Sequence, residues 1–165
     1  MTGGKHWSAI VSSQPMTSRP DPHFASCAAQ VGDVQIICSV LPWRSCGQDW
    51  PGDDLFAKQQ LPLSTLGPCL SRGPTIWGGD WNQAFDGPEY VGTSAGRRLL
   101  TDVVDSAGLV VPTAALPSAT QPHLSIDHIA VPAAWQITEA ARLEAKTVDG
   151  RLSDHDGYVV EAVAR

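Results

Sequence analysis

Apolar and polar positions alternate over short runs along most of the chain, and the breaks between runs are marked by glycine, proline and aspartate. His6 to Ser13 alternates weakly and ends in the polar, proline-containing stretch Ser12 to Pro22, which predicts a strand running into a loop. Phe24 to Val31 and Val34 to Leu41 are rich in small, apolar and β-branched residues, with only Gly32-Asp33 between them. That pattern predicts two antiparallel strands joined by a tight turn. Between Asp53 and Leu70 the spacing of Leu55, Phe56, Leu63, Leu66 and Leu70 predicts a helix that Pro62 begins, kinks or divides. Thr75 to Gly79 predicts a short strand with Asp80 at its end. After Ser94, a candidate N-cap, Leu99, Leu100, Val103, Val104 and Ala107 share one helical face, and Gly108 ends the helix. Leu124 to Val131, Trp135 to Leu143 and Gly157 to Val163 predict three further strands.

These elements make a mixed α+β chain without repeats or linkers, and its 165 residues with 42% apolar content suit one domain spanning 1–165. The charge narrows the function classes. Eleven Lys plus Arg against 17 Asp plus Glu leave a net charge of −6, which argues against a broad basic face that grips polyanions. Cys27, Cys38, Cys46 and Cys69 fit neither a zinc-ligand spacing nor a dense disulfide framework, and read as buried free thiols with a disulfide still open. The opening residues lack a secretory pattern and no apolar run approaches membrane-spanning length, so a cytoplasmic protein with no membrane partner is expected.

The candidate chemistry lies in three polar clusters that interrupt apolar runs: Gly79-Asp80-Trp81-Asn82, Ser125-Ile126-Asp127-His128-Ile129 and Ser153-Asp154-His155. Singly, each has a bland reading, since such residues commonly make turns, caps and satisfied core groups. Together they matter, because each sits at or inside a predicted strand, where an unpaired carboxylate is costly. Phosphoester hydrolysis requires this inventory: carboxylates for a divalent cation, a group to orient water, and donors for phosphoryl oxygens. Asp80 and Asn82, two apart on a strand, are expected to face one site and to handle water and phosphate. His155 is a candidate for contacting the phosphoryl group or moving a proton, with Asp127 fixing its tautomer and favouring its charged form. Asp154 is the candidate metal ligand. A serine-hydrolase reading through Ser153 or Ser125 with His155 and Asp127 lacks a Gly-x-Ser-x-Gly elbow. Trp43, Trp50, Trp77, Trp81 and Trp135 are expected mainly in core or rim packing, with stacking on substrate as the alternative.

At these residues the sequence resembles the endonuclease/exonuclease/phosphatase superfamily, whose fold is that of pancreatic deoxyribonuclease. The three clusters stand, in order, for its Gly-Asp-aromatic-Asn, Ser-x-Asp-His-Ile and Ser-Asp-His motifs. Trp7 to Ser13 and Val34 to Pro42 look like its strands near the site. The resemblance implies a four-layer α/β/β/α sandwich of the deoxyribonuclease-like type and a divalent metal, Mg2+ or Mn2+. It also implies a metal-dependent phosphoesterase, nuclease or phosphatase, acting on a phosphorylated substrate with nucleic acid among the candidates. By the same resemblance Asp80 and Asn82 handle water and phosphate, Asp127 orients His155, His155 stabilises phosphoryl charge, and Asp154 assists the metal. His128 is expected to be structural, because alternation sends it to the face opposite Asp127.

Two family features have no counterpart here. The resemblance implies an opening strand carrying an Asn and then a Glu that is the main metal ligand, and neither precedes Trp7. Val40 stands where the family often carries a His or Tyr, and it cannot donate a hydrogen bond. The fold is therefore expected to be N-terminally incomplete, matching the larger, C-terminal part of the family domain. An upstream segment or a second copy in a homodimer would complete it. The competing expectation is a catalytically silent member that keeps the fold for stability or partner binding.

Overall fold

The computed structural model describes residues 7–120 and 122–165, so His6 lies outside the described residues. Trp7 to Ser13 does not form the expected strand. Its alternation serves a different purpose: the Trp7 ring packs against Trp43 and Trp50, at centroid distances of 6.1 and 6.2 Å, in a small aromatic cluster with Ala25, Val40 and Cys46.

The first strands are β1 (Thr17–Arg19), β2 (Ser26–Val31) and β3 (Val34–Ser39). β2 and β3 form the expected hairpin, with Gly32 supplying the left-handed turn residue at φ 55°. Helix α1 (Leu55–Leu70) is capped by Asp54, whose carboxylate accepts the Ala57 amide at 2.8 Å. Pro62 neither begins nor divides it, and both Pro62 and Pro68 lie within the helix. Burial of Leu63, Leu66 and Leu70 outweighs the missing backbone donors, at about 1.5–3 kcal/mol for each fully buried side chain.

Strand β4 (Thr75–Asp80) ends at Asp80, as the sequence predicts, and it pairs parallel with β3. Helix α2 (Ser94–Ser106) is capped by Thr93 rather than Ser94, because the Thr93 hydroxyl accepts the Gly96 amide at 3.0 Å. Gly108, at φ 65°, ends it. After β5 (Leu109–Val110), β6 (Asp127–Pro132) inserts beside β4, giving a six-stranded sheet in the order β1-β2-β3-β4-β6-β5. Strand β7 (Gln136–Leu143) pairs antiparallel with β10 (Gly157–Val163), and a short ribbon, β8 (Lys146–Thr147) with β9 (Gly150–Arg151), leaves the far end of that pair.

Register explains where the core sits. Ala28, Ile37, Trp77 and Ala130 line up across β2, β3, β4 and β6, and all four are buried beneath α1 and α2 with Leu66, Leu70, Leu100 and Val104. The adjacent row, Cys27, Cys38, Gly78 and Ile129, points to the other face and is only half-buried. All four cysteines are free thiols, and Cys46 alone is fully buried. The two helices pack on each other as one layer, and β10 leans on β6. Among the described residues there is no second helix layer to complete four. No helix among them is long and apolar enough to cross a membrane.

Candidate active site

Asp80 is the last residue of β4, and the chain before it has little freedom. Gly79 sits at φ 136°, where a Cβ would collide with the Ser39 carbonyl on neighbouring β3. Beyond Asp80 the backbone stays stitched to both neighbours: Leu41 N donates to Asp80 O, and Trp81 N to Ile126 O, each at 2.9 Å. The Trp81 side chain turns into the core and stacks on Trp77 at a centroid distance of 3.9 Å.

Asn82 reaches the site by a different route from strand alternation. The strand stops at Asp80, and Asn82 adopts the left-handed conformation at φ 51°. Its amide N donates to Asp80 Oδ1 at 3.0 Å and its side-chain Nδ2 donates to Leu41 O at 2.9 Å. Buried Asn82 thus braces Asp80 through a local turn.

Asp127 opens β6, and its register partner on β4 is Asp80. Two acidic residues directly opposite each other repel, an arrangement that a sheet retains only with compensation. Ser125 shapes the entry: its hydroxyl accepts the Asp127 amide at 3.0 Å and donates to the Asp127 carbonyl at 2.6 Å. The compensation comes from the segment before β10. His155 Nδ1 lies 2.8 and 3.0 Å from the two carboxylate oxygens of Asp127.

The electrostatics follow from this geometry. Burial pushes the Asp80 carboxyl up to about 6, Asp127 pushes it the same way, and His155 and Asn82 oppose the rise only partly. The hydrogen bond to Asp127 raises His155 to about 9 against the cost of burial, with help from the charges of Asp127, Asp80 and Asp154. His155 is therefore an imidazolium at neutral pH, its Nδ1–H given to Asp127. His128 is its opposite. It is buried, pushed down to about 4, and fixed between the Gln83 carbonyl at Nε2 (2.9 Å) and the Thr113 hydroxyl at Nδ1 (3.3 Å). It belongs to the scaffold, on the face of β6 away from Asp127.

One ligand atom from each of Asp80, Asp127 and His155 lies within 4.8 Å of the others. Asp154 is exposed and outside that cluster, although it lines the same cavity as Asp127 and His155. This cavity, of ≈ 170 Å³, is also walled by Tyr90, Ser118, Thr120 and Ile126. Tyr90 donates to Leu124 O at 3.0 Å and stacks on His123, which anchors that wall. A larger cavity of ≈ 410 Å³, lined by Arg19, Gln35, Ile37, Cys69 and Arg72, holds none of the clustered groups. The serine-hydrolase arrangement does not form: Ser125 is spent on the Asp127 backbone, and the Ser153 hydroxyl accepts the His155 amide. Trp50, Trp77 and Trp81 are fully buried.

Sequence reasoning missed Asp156, whose buried carboxylate is held by Arg142 and Arg151, and Tyr90, which carries no local signal. An acidic residue following Ser-Asp-His reads as a turn; the signal available was a pair of arginines on the flanking strands.

No family model matches the sequence, and no curated protein matches it at the sequence level. Solved structures do match. The 3′-5′ exonuclease NExo from Neisseria meningitidis superposes with a TM-score of 0.63 at 19% identity, over 90% of this chain and 70% of that one. NExo, described as a 3′ phosphatase, has also been solved with a product DNA hairpin, and that structure matches with a TM-score of 0.60. An AP endonuclease from Archaeoglobus fulgidus gives 0.62 at 15% identity, over 92% of this chain and 69% of that one. An endonuclease/exonuclease/phosphatase from Beutenbergia cavernae gives 0.59 at 19% identity, over 83% and 38%. Identities this low speak to the fold alone, and the fold of this chain is that of the endonuclease/exonuclease/phosphatase structures.

Proposed function

We propose that the chain is a metal-dependent phosphoesterase that cleaves a phosphodiester or phosphomonoester, with nucleic acid as the substrate class that the exonuclease and AP endonuclease neighbours favour. The observation that carries this reading is the meeting of Asp80, Asp127 and His155, drawn from three distant segments, within 4.8 Å. A divalent cation fits the donor set. Two facing carboxylates, one raised to about 6 by burial and by the other's charge, are an oxygen-rich and under-compensated site of the kind Mg2+ or Mn2+ occupies. Asp80 and Asp127 would hold the ion; exposed Asp154, which shares a cavity with Asp127 and His155 but not with Asp80, would be an outlying oxygen donor. Bound there, the ion supplies Lewis acidity at the phosphoryl oxygens.

The chain's own groups divide the remaining work. With Nδ1–H committed to Asp127, the His155 Nε2–H is the donor for a phosphoryl oxygen, and its positive charge meets the negative charge that develops there. Asp80, braced by Asn82, orients the attacking water. Asp127 holds the imidazolium in place.

The test is hydrolysis of bis-p-nitrophenyl phosphate and of plasmid DNA with Mg2+ or Mn2+, and then with EDTA. Turnover is expected, chelator is expected to abolish it, and Asp80→Ala and His155→Ala should each lower the rate by about 10²–10³-fold. Well-folded protein without metal-dependent turnover would favour a silent domain, and turnover that survives both substitutions would put the chemistry elsewhere; either result sinks the reading.

A further inference from the structure

We propose that Arg151 is a positioning residue for His155: anchored on the buried Asp156 carboxylate, it fixes the backbone of residues 153–155 so that the imidazole stays on Asp127. This inference rests on the phosphoesterase reading only for its kinetic consequence. Its structural part stands by itself.

The contacts are specific. Asp156 has a fully buried carboxylate side chain and follows His155 directly. Three donors saturate it: Arg142 Nε at 2.6 Å, Arg151 Nη2 at 2.6 Å and the Ala145 amide at 2.9 Å. Two of these, Arg142 on β7 and Ala145 just beyond it, tie Asp156 to the β7–β10 pair, which suffices to account for a structural staple. Arg151 does something else. Its Nε donates to Ser153 O at 2.9 Å and its Nη2 reaches His155 O at 3.5 Å, so one guanidinium touches both ends of the turn that carries the imidazole. Within that turn the His155 amide donates to Ser153 Oγ at 3.1 Å. A planar fork with several fixed donors can span these acceptors together, whereas a single ammonium cannot.

The ribbon that delivers Arg151 supports the same conclusion. Residues 146–151 are exposed throughout, and β8 and β9 contribute two residues each. So short an exposed ribbon adds nothing to a core and is marginal by itself. Its consequence is to return the chain so that Arg151 enters from outside against 153–156. Without that clasp the Ser153–His155 turn is a surface loop, and the imidazole would lose time on Asp127 to other rotamers.

Arg151 can be removed without unfolding the site, because Arg142 and the Ala145 amide still satisfy Asp156. The experiment compares wild type, Arg151→Ala, Arg151→Lys, His155→Ala and the Arg151→Ala/His155→Ala double variant on bis-p-nitrophenyl phosphate with Mn2+. In parallel, proton NMR follows the downfield Nδ1–H signal of His155, assigned by its loss in Asp127→Asn. Arg151→Ala should lower kcat by about 10- to 100-fold with KM unchanged. Arg151→Lys should fail to restore it, and the double variant should be no slower than His155→Ala. The Nδ1–H signal should broaden or vanish in Arg151→Ala. A signal identical to wild type in Arg151→Ala overturns the proposal, as does a loss additive with His155→Ala. If wild type hydrolyses nothing, the phosphoesterase reading falls, and the NMR comparison alone still decides the role of Arg151.

Discussion

His155, held by Asp127, carries a pKa displacement with a definite sign. His155 is raised from 6.5 to about 9, so its bond to Asp127 contributes stability in full below 6.5 and loses it as the pH rises through about 9. In metal-free protein, an NMR titration of His155 should therefore place its midpoint near 9, and Asp127→Asn should bring it back toward the ordinary value. Urea unfolding between pH 6 and 10 should show falling stability in wild type and a shallower fall in Asp127→Asn, where Cys38, Tyr90 and Tyr158, all raised by burial, still lose stability at the alkaline end. A midpoint near 6.5 in wild type would remove the imidazolium from the scheme. At this scale the sequence was legible where chemistry coincides with punctuation. Asp80, Asp127 and His155 stand out because a polar group interrupts an apolar run. Asn82 was found for the wrong reason, since period-2 alternation places it beside Asp80 only if the strand continues, and the strand ends one residue after Gly79. Asp156 escaped because the two arginines that hold it, Arg142 and Arg151, lie on separate strands and only the fold brings them together.

Between residue and molecule, the elements hold the site by close approach. Gly79 is a tight approach to backbone: β4 runs beside β3 where any side chain would meet the Ser39 carbonyl, and its φ of 136° is one that L-residues rarely adopt. Gly79→Ala should cost about 3 kcal/mol or more in urea unfolding, from backbone strain and overpacking together. Gly32→Ala, at φ 55° with open space around it, should cost only about 1–2 kcal/mol. Equal losses at the two positions would show that conformation alone, and not the approach of β3, limits residue 79. Hairpin and helices were readable because their periods and turn residues agree with their final environment. Trp7 to Ser13 was not, since alternation signals a strand only when a neighbour offers its edge, and here the Trp7 ring is taken up by Trp43 and Trp50. Pro62 misled in a similar way, because a local rule about helix interiors is overridden by packing of the turns around it.

For the molecule as a whole, the proposed metal site has a thermodynamic consequence, since two facing carboxylates in a chain of net charge −6 would bind a cation only in the folded state. A ligand that binds only the folded form adds about 2.7 kcal/mol at one hundred times its dissociation constant. Mn2+ or Mg2+ should therefore raise Tm in wild type, EDTA should reverse the rise, and Asp80→Ala should remove most of it. A Tm indifferent to metal would mean that the carboxylate pair takes no ion. The fold neighbours bear out the α+β architecture expected from three motifs in order, whereas the expected layering came from resemblance rather than from any residue. No periodicity in the described chain codes for a second helix layer, and none is seen there.

The Trp77–Trp81 stack gives the molecule an internal optical reporter. Two indoles 3.9 Å apart and shielded from solvent should couple their strong transitions and give a paired band in far-ultraviolet circular dichroism, distinct from the wider tilted and edge-on contacts of Trp7, Trp43 and Trp50. Because Trp81 is bonded directly to Asp80, that band reads the state of the end of β4 without any label.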